Sequence, residues 1–270
     1  MIKKIIFSFL ISAFVVSCTK NAVTGRSQFK LLPESELQAM ATTQYQQFLS
    51  TNKVVSASAN RDAEMVTRVG QRIKNAVESY YAGKGLSKEL EGYHWEYHLV
   101  DSKEANAWCM PGGKIVVYTG LLPYTQNEAA LAVVMGHEVS HAIFQHGNER
   151  MSQELGAEAV NMGLQVALAN KPAETQNLYL AAFGVGTQVG VLLPFSRKHE
   201  LEADHWGLDW AAMAGYNPQE AIPLWERMEK AGGGQRPPEF LSTHPSEGTR
   251  IDELKKYMPE ALKYYKPIGG

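Results

Sequence analysis

Residues 129–144 read AALAVVMGHEVSHAIF, an apolar run without proline and with few positions that could face water. Such a run forms a helix buried on most of its sides. Thr125-Gln-Asn-Glu128 ahead of it has the spacing of a capping box, so the pattern predicts a helix over 125–146. Other stretches are amphipathic. Val66, Val69, Ile73, Val77 and Tyr80 share one face of a helix expected at 62–82, which Gly83 to Leu86 ends, and a further helix is expected at 34–50. Residues 93–100, YHWEYHLV, switch to period two. Tyr93, Trp95, Tyr97 and Leu99 alternate with His94, Glu96 and His98, which predicts a half-buried strand with its histidines toward solvent. A second strand is expected at 113–118, with Gly112 and Gly113 turning the chain between Ala105–Met110 and that strand. Residues 150–177 read as helical with a break at Lys171-Pro172. The fold class is α+β, mainly helical, with a small β-sheet packed beside the buried helix.

Two uncharged stretches bear on the membrane. Ile5 to Val16 follows Lys3 and Lys4. Twelve helical residues span only about 18 Å, less than a bilayer core, so residues 1–17 read as a secretory signal. The stretch ends Val15-Val-Ser-Cys18, a lipobox pattern that makes Cys18 the lipidated first residue of the mature chain. Thr19 follows rather than an aspartate, which favours sorting to the outer membrane of a bacterial envelope, with the chain facing the periplasm. Residues 18–32 are then a polar tether and 33–270 a single domain. The second stretch, 175–196, contains Gly184, Gly186, Thr187, Gln188 and Gly190 and is a poor isolated span, so a helix that is buried or faces a membrane is expected there.

The buried run also carries the candidate chemistry. His137 and His141 are four apart, project from one helix face and can hold one zinc ion. Glu138 lies beside them, where a carboxylate can take a proton from water. A core helix with two satisfied histidines has the same spacing; the burial, the capping signal and the intervening glutamate weigh toward a metal. A further histidine six residues past His141 would complete another known ligand pattern, but Phe144 and Gly147 stand where that pattern needs glycine and histidine. In 196–207, SRKHELEADHWG, Glu200 and Asp204 share a helical face and Glu202 points away. Glu200 is therefore assigned as third ligand, and Asp204 as the acceptor that fixes the tautomer of a ligand histidine. His199 and His205, which flank these positions, read as surface or packing residues, and Cys109 reads as a packing residue.

Four motifs in order resemble one family. HEVSH, then SRKHELEAD some sixty residues later, are similar to the gluzincin peptidases that include the CAAX prenyl protease and the HtpX heat-shock protease. Asn106-Ala-Trp-Cys-Met-Pro-Gly-Gly-Lys-Ile115 resembles that family's NAxxxPGGxI segment, and Ser242-Thr-His-Pro245 with Arg250 resembles the STHP…R segment of its periplasmic lipoprotein branch. The resemblance covers roughly residues 25–257 and implies a zincin-type metallopeptidase domain with one zinc ion per chain. It further implies that the region around Asn106, Gly112 and Gly113 supplies an edge strand for an extended substrate, where Asn106 either holds a substrate carbonyl or caps a turn. His244 would reach the metal, closing the site or donating to an oxyanion when it moves. Arg250 shares that task or braces the loop. AGGGQRPP at 231–238 is a flexible segment that would let His244 move, and Ser246 would cap the helix that follows.

Composition narrows the function further. Formal charge is −2, and −4 once residues 1–17 with their two lysines and no acid are removed. There is no basic stripe or phosphate loop, which excludes a nucleic-acid partner. With Cys18 lipidated, Cys109 is left without an intramolecular partner. The expectation is a zinc endopeptidase for misfolded or misassembled envelope proteins, anchored to the membrane through Cys18. The alternative is a metal-containing chaperone or assembly factor with little proteolysis. A prenyl-protein processor is not expected, because the membrane helices that enclose such substrates are missing. Nothing in the pattern speaks to oligomeric state.

Overall fold

The computed structural model describes residues 18–188, 192–232, 238–244 and 250–268, and the chain forms two compact units. One comprises residues 35–144 and 199 onward, the other the N-terminal residues to 34 and 145–198. The expected signal segment, the cap at Ser246 and most of the 231–238 loop lie outside the described residues.

The larger unit is built on a four-stranded sheet. Its strands are β3 (Val54–Val55), β4 (Glu96–Val100), β5 (Ala107–Met110) and β6 (Lys114–Tyr118), in spatial order β3-β4-β6-β5. β4 and β6 run parallel, and β5 pairs antiparallel with β6 through Cys109↔Ile115 and Ala107↔Val117. β5 is therefore an edge. Gly112 and Gly113 make the β5–β6 turn with φ of +82° and +81°, and a Cβ on Gly113 would lie 2.7 Å from the Trp95 ring.

Both faces of the sheet are covered, which is why residues of both phases in β4 and β6 are buried. On one face α1 (Glu34–Thr51) lays Tyr45, Phe48 and Leu49 against Val100, Trp108 and Val116. On the other, α2 (Arg61–Gly83) packs on β4 and α4 (Glu128–Ile143) packs on β5. Tyr97 sits so closely on α2 that a Cβ on Gly70 would lie 2.2 Å from its ring. The strand expected from 93 begins at Glu96, and His98 does not face water. It is half-buried under α1, where its Nδ1 and the Tyr45 hydroxyl share a hydrogen bond of 2.6 Å. On α2 the buried aromatic is Tyr81, with Tyr80 half-buried.

The start of α4 also differs from the expectation. The short helix α3 (Leu122–Thr125) precedes it, and the Thr125 hydroxyl donates back to the Leu122 carbonyl. Gln126 then takes φ +63°, which places Asn127 in extended geometry as the N-cap, its side chain accepting from the Ala130 amide at 2.8 Å. Glu128 bonds outward to Arg68 and Tyr216 instead of back to a cap. Helices α7 (Leu193–Met213), α8 (Ala221–Gly232), α9 (Glu239–Thr243) and α10 (Arg250–Tyr264) complete this unit, α7 entering it at His199.

The smaller unit includes residues 18–32, the segment expected to be a polar tether. Strands β1 (Cys18–Lys20) and β2 (Ser27–Phe29) form a hairpin that packs on α5 (His146–Leu168). Arg26 forks onto the fully buried Glu149 with contacts of 2.8 and 2.5 Å, and Gln28 donates to the same carboxylate at 3.0 Å. Arg26 and Gln28 are thus partners of one buried charge, while Lys30 donates to Gln145. The expected break at Lys171-Pro172 separates α5 from α6 (Ala173–Thr187). Among the described residues no helix is long and apolar enough to cross a membrane.

Candidate metal centre

The site forms where α4 and α7 come into backbone contact. Gly136 and Gly207 make that contact possible: a Cβ on Gly136 would lie 2.8 Å from the Gly207 oxygen, and one on Gly207 would lie 2.9 Å from the His137 nitrogen. The approach brings Glu200 and Asp204 of α7 against His137 and His141 of α4. His137 Nε2 and His141 Nε2 lie 3.0 Å apart, and each is 3.4 Å from an oxygen of Glu200. His244, at the end of α9, adds Nδ1 at 3.2 Å from both Glu200 oxygens and 3.3 Å from His137 Nε2. Ligands held ~2.0–2.2 Å from a zinc ion at angles of roughly 90–120° stand about 3.0–3.6 Å from one another. The four side chains, His137, His141, Glu200 and His244, fit one ion on that measure.

The surroundings prepare His137 as a ligand. Its Nδ1 lies 2.9 Å from Asp204 Oδ1 and donates to it, which turns Nε2 toward the site. Burial works against charge on this imidazole, but Asp204 and Glu200 outweigh it and hold it up at about 9. That is a demand for positive charge which a divalent ion meets once the proton has left.

Arg250 is wholly buried and braces the acidic side of the site. Its Nε donates to Asp204 at 2.6 Å, one Nη to Glu200 at 3.0 Å and the other to the His244 carbonyl at 3.1 Å. The guanidinium lies 3.9 Å over the Trp225 ring. Burial pushes both carboxylates toward neutrality, yet Arg250 with His137 keeps Asp204 below its ordinary value, and His141, His137 and His244 keep Glu200 well below. A buried pair of this kind is costly to break from one side.

Glu138 has a different environment. Burial raises its carboxyl above the usual range, Glu200 adds to this, and His244, His137 and Arg250 oppose it. Among the described residues its Oε1 has no hydrogen bond, with His244 Nε2 3.3 Å away. A carboxylate raised in this way and with an unbonded oxygen is suited to accept a proton.

The remaining candidates sit along the sheet edge. Cys109 of β5 is half-buried; burial and the charge of Glu138 push its thiol well up, so it stays neutral and packs. Asn106 accepts from the Ala107 amide at 2.9 Å, and among the described residues its amide nitrogen donates to nothing. The carbonyls of Gly112 and Gly113 accept from the His94 and Glu96 amides, so these glycines join β4 and shape the end of the edge. Glu202 lies outside the cluster, as its helical phase requires, while His199 is buried.

Two contributors had gone unnoticed in the sequence. Phe240 is fully buried, stacks on His244 at 4.6 Å, and donates its amide to the Ala105 carbonyl beside β5. Trp225 forms the floor under Arg250. An aromatic four residues before the STHP histidine was the available signal for Phe240; nothing local marked Trp225.

Residues 67–258 match the model of peptidase family M48. The mitochondrial metalloendopeptidase OMA1 of Arabidopsis thaliana is 38% identical over 185 residues, which cover 67% of this chain and 36% of that protein. The mitochondrial metalloendopeptidase OMA1 of Bos taurus is 31% identical over 250 residues, 90% of this chain and 46% of that protein. The β-barrel assembly-enhancing protease of Escherichia coli is 31% identical over 165 residues, 60% of this chain and 34% of that protein. The chain thus spans about a third to a half of the length of these relatives.

Proposed function

The chain belongs to peptidase family M48, and we propose that it is a zinc endopeptidase acting on misfolded or misassembled proteins of a bacterial cell envelope. The observation that carries this reading is the convergence of His137, His141 and Glu200, all within 3.4 Å of one another, beside the unpartnered Glu138 oxygen. The donor set of two imidazoles and a carboxylate suits zinc. Bound there, the ion supplies a Lewis acid for a peptide carbonyl and lowers the pKa of water.

The chain's own residues do the rest. Glu138 takes the proton from the attacking water and returns it to the leaving amine. Asp204 holds His137 in the ligating tautomer, and Arg250 keeps Asp204 and Glu200 ionised. The open side of β5 pairs with an extended peptide through backbone hydrogen bonds, which accept any sequence of side chains. Asn106 offers its amide nitrogen to a peptide carbonyl at that edge, and Gly112 and Gly113 keep the turn that ends it.

The compartment rests on residues 1–18 alone, because the relatives include both mitochondrial and bacterial proteins. The leader and Cys18 support a lipid anchor in the envelope, and the Escherichia coli relative is named for β-barrel assembly. Replacing Cys18 by Ala should abolish radiolabelling by palmitate and release the protein from membranes; a variant still labelled would remove the anchor.

The enzymatic test is cleavage of casein by wild type and Glu138→Gln at equal, measured zinc content. Cleavage by wild type alone supports the assignment. A second reading, a zinc-bound assembly factor that seldom cuts, is favoured by the position of His244 among the ligands. In that reading His244 takes the fourth position and the site rests closed. His244→Ala then raises casein cleavage; unchanged cleavage together with unchanged zinc affinity sinks the gating idea.

A further inference from the structure

Helix α7 carries a second set of ligand-type side chains one turn beyond the first. His205 and Asp209 are four residues apart on it, and Glu260 faces them from α10. One ligand atom from each lies within 4.8 Å of the other two. His205 Nε2 is 3.7 Å from Asp209 Oδ2 and 3.4 Å from Glu260 Oε2. These separations are long for hydrogen bonds. They are close to those of two ligands on one ion, roughly 3.0–3.6 Å for bonds of about 2.1 Å.

Among the described residues these side chains make few other polar contacts. Asp209 is 1% exposed, its Oδ1 has no hydrogen bond, and no lysine or arginine meets it among the described residues. A buried carboxylate in that condition is held neutral or needs a cation. Among the described residues His205 Nε2 is also without a hydrogen bond. The ring is fixed by stacking on Tyr257 at 4.2 Å and 11°. Glu260 is half exposed, which leaves an approach from solvent.

We propose that His205, Asp209 and Glu260 hold a second divalent cation, of the zinc or manganese class, separate from the one at His137, His141 and Glu200. One imidazole and two carboxylates suit such an ion, with its remaining positions left to water. Its place in the fold gives it a task. At one end α7 and α10 are tied by Arg250 to Asp204 and Glu200; ten residues along α10 the ion ties Glu260 to His205 and Asp209. Pro259, inside α10, removes a helix hydrogen bond next to Glu260, and the ion steadies that segment. The second cation therefore supports Arg250, and through it the first site, from the far end of α10.

The test is stoichiometry. Metal-stripped full-length chain is titrated with zinc chloride by equilibrium dialysis, with thermal unfolding followed in parallel. Wild type should bind two equivalents. Asp209→Asn and Glu260→Gln should each weaken the second roughly tenfold or more, with its thermal stabilisation lost. Glu260→Gln, at a half-exposed position, serves where Asp209→Asn fails to fold. Glu200→Gln, which damages the first site, should retain one equivalent, so failure of one site is told from failure of the other. A wild type that binds one equivalent, or both variants still binding two with unchanged affinity, overturns the proposal.

Discussion

Helix α4 buries 13 of its 16 residues, whereas none of the 15 residues of α6 is buried. Both are rich in alanine, leucine and valine and carry few charges, so apolar content alone did not separate them. What separates them is the neighbours. The larger unit closes β5, α2 and α8 around α4, and Gly136 lets α7 touch its backbone. In the smaller unit α6 packs on α5, and Leu178, Tyr179 and Val185 stay exposed. Enclosure makes a helix chemically useful, because a histidine and a glutamate held away from water take on basicities that water would otherwise level.

The largest test of that idea is Glu138→Gln. At unchanged zinc content, cleavage of casein should fall by about 10²–10⁴-fold, the usual contribution of a general base. Thermal stability should hold or rise, since an unsatisfied buried carboxylate is removed. Activity that survives would deny α4 its chemical role. Next in size is a matched pair. Leu131→Ala, at a fully buried position of α4, should cost about 2–5 kcal/mol in urea unfolding. Leu178→Ala on α6, 69% exposed, should stay within about 0.5 kcal/mol. Equal losses would mean that α6 is enclosed in solution and would collapse the contrast.

Third is the glycine contact. Gly207→Ala puts a methyl group 2.9 Å from the His137 nitrogen, against backbone that cannot step aside. α7 must move, at a cost of about 1–3 kcal/mol. Glu200 moves with it, so zinc affinity should fall alongside stability, as dialysis against a chelator would record. Loss of stability with unchanged zinc affinity would show that the contact does not position the ligands.

Local spacing carried much of this. The i, i+4 geometry gave His137 with His141 and Glu200 with Asp204, because a helix fixes which side chains share a face. The edge strand at 107–110 and its glycine turn followed from the resemblance and are present in the fold. The remainder depended on contacts distant in sequence. His98 was read toward solvent because its partner Tyr45 lies 53 residues away. The polar residues at 26 and 28 gave no sign of Glu149, more than 120 residues on. Thr125 and Asn127 have equal cap chemistry, and only the left-handed turn at Gln126 decides between them. His205 and Asp209 showed the same spacing as the first site, but Glu260, which gives the pair meaning, is on another helix.

The smallest effect concerns the first turns of the two helices. Glu128 opens α4 and bonds to Arg68 at 2.5 Å; Glu174 opens α6 without an ion pair among the described residues. The hydrogen bond from Arg68 holds the Glu128 carboxyl below its ordinary value of 4.5, against some burial. A carboxylate with a depressed folded value adds stability above its unfolded value, and that stability fades as pH falls through the folded one. The pair is largely exposed, so it is worth only about 0.5 kcal/mol. Urea midpoints of wild type and Glu128→Gln should therefore differ at pH 7 and converge as pH drops below about 4.5. Glu174→Gln, which removes no ion pair among the described residues, should leave the stability measured in urea at pH 7 within about 0.5 kcal/mol of wild type. A difference between wild type and Glu128→Gln that persists into acid would mean that the side chain acts through packing rather than through its charge.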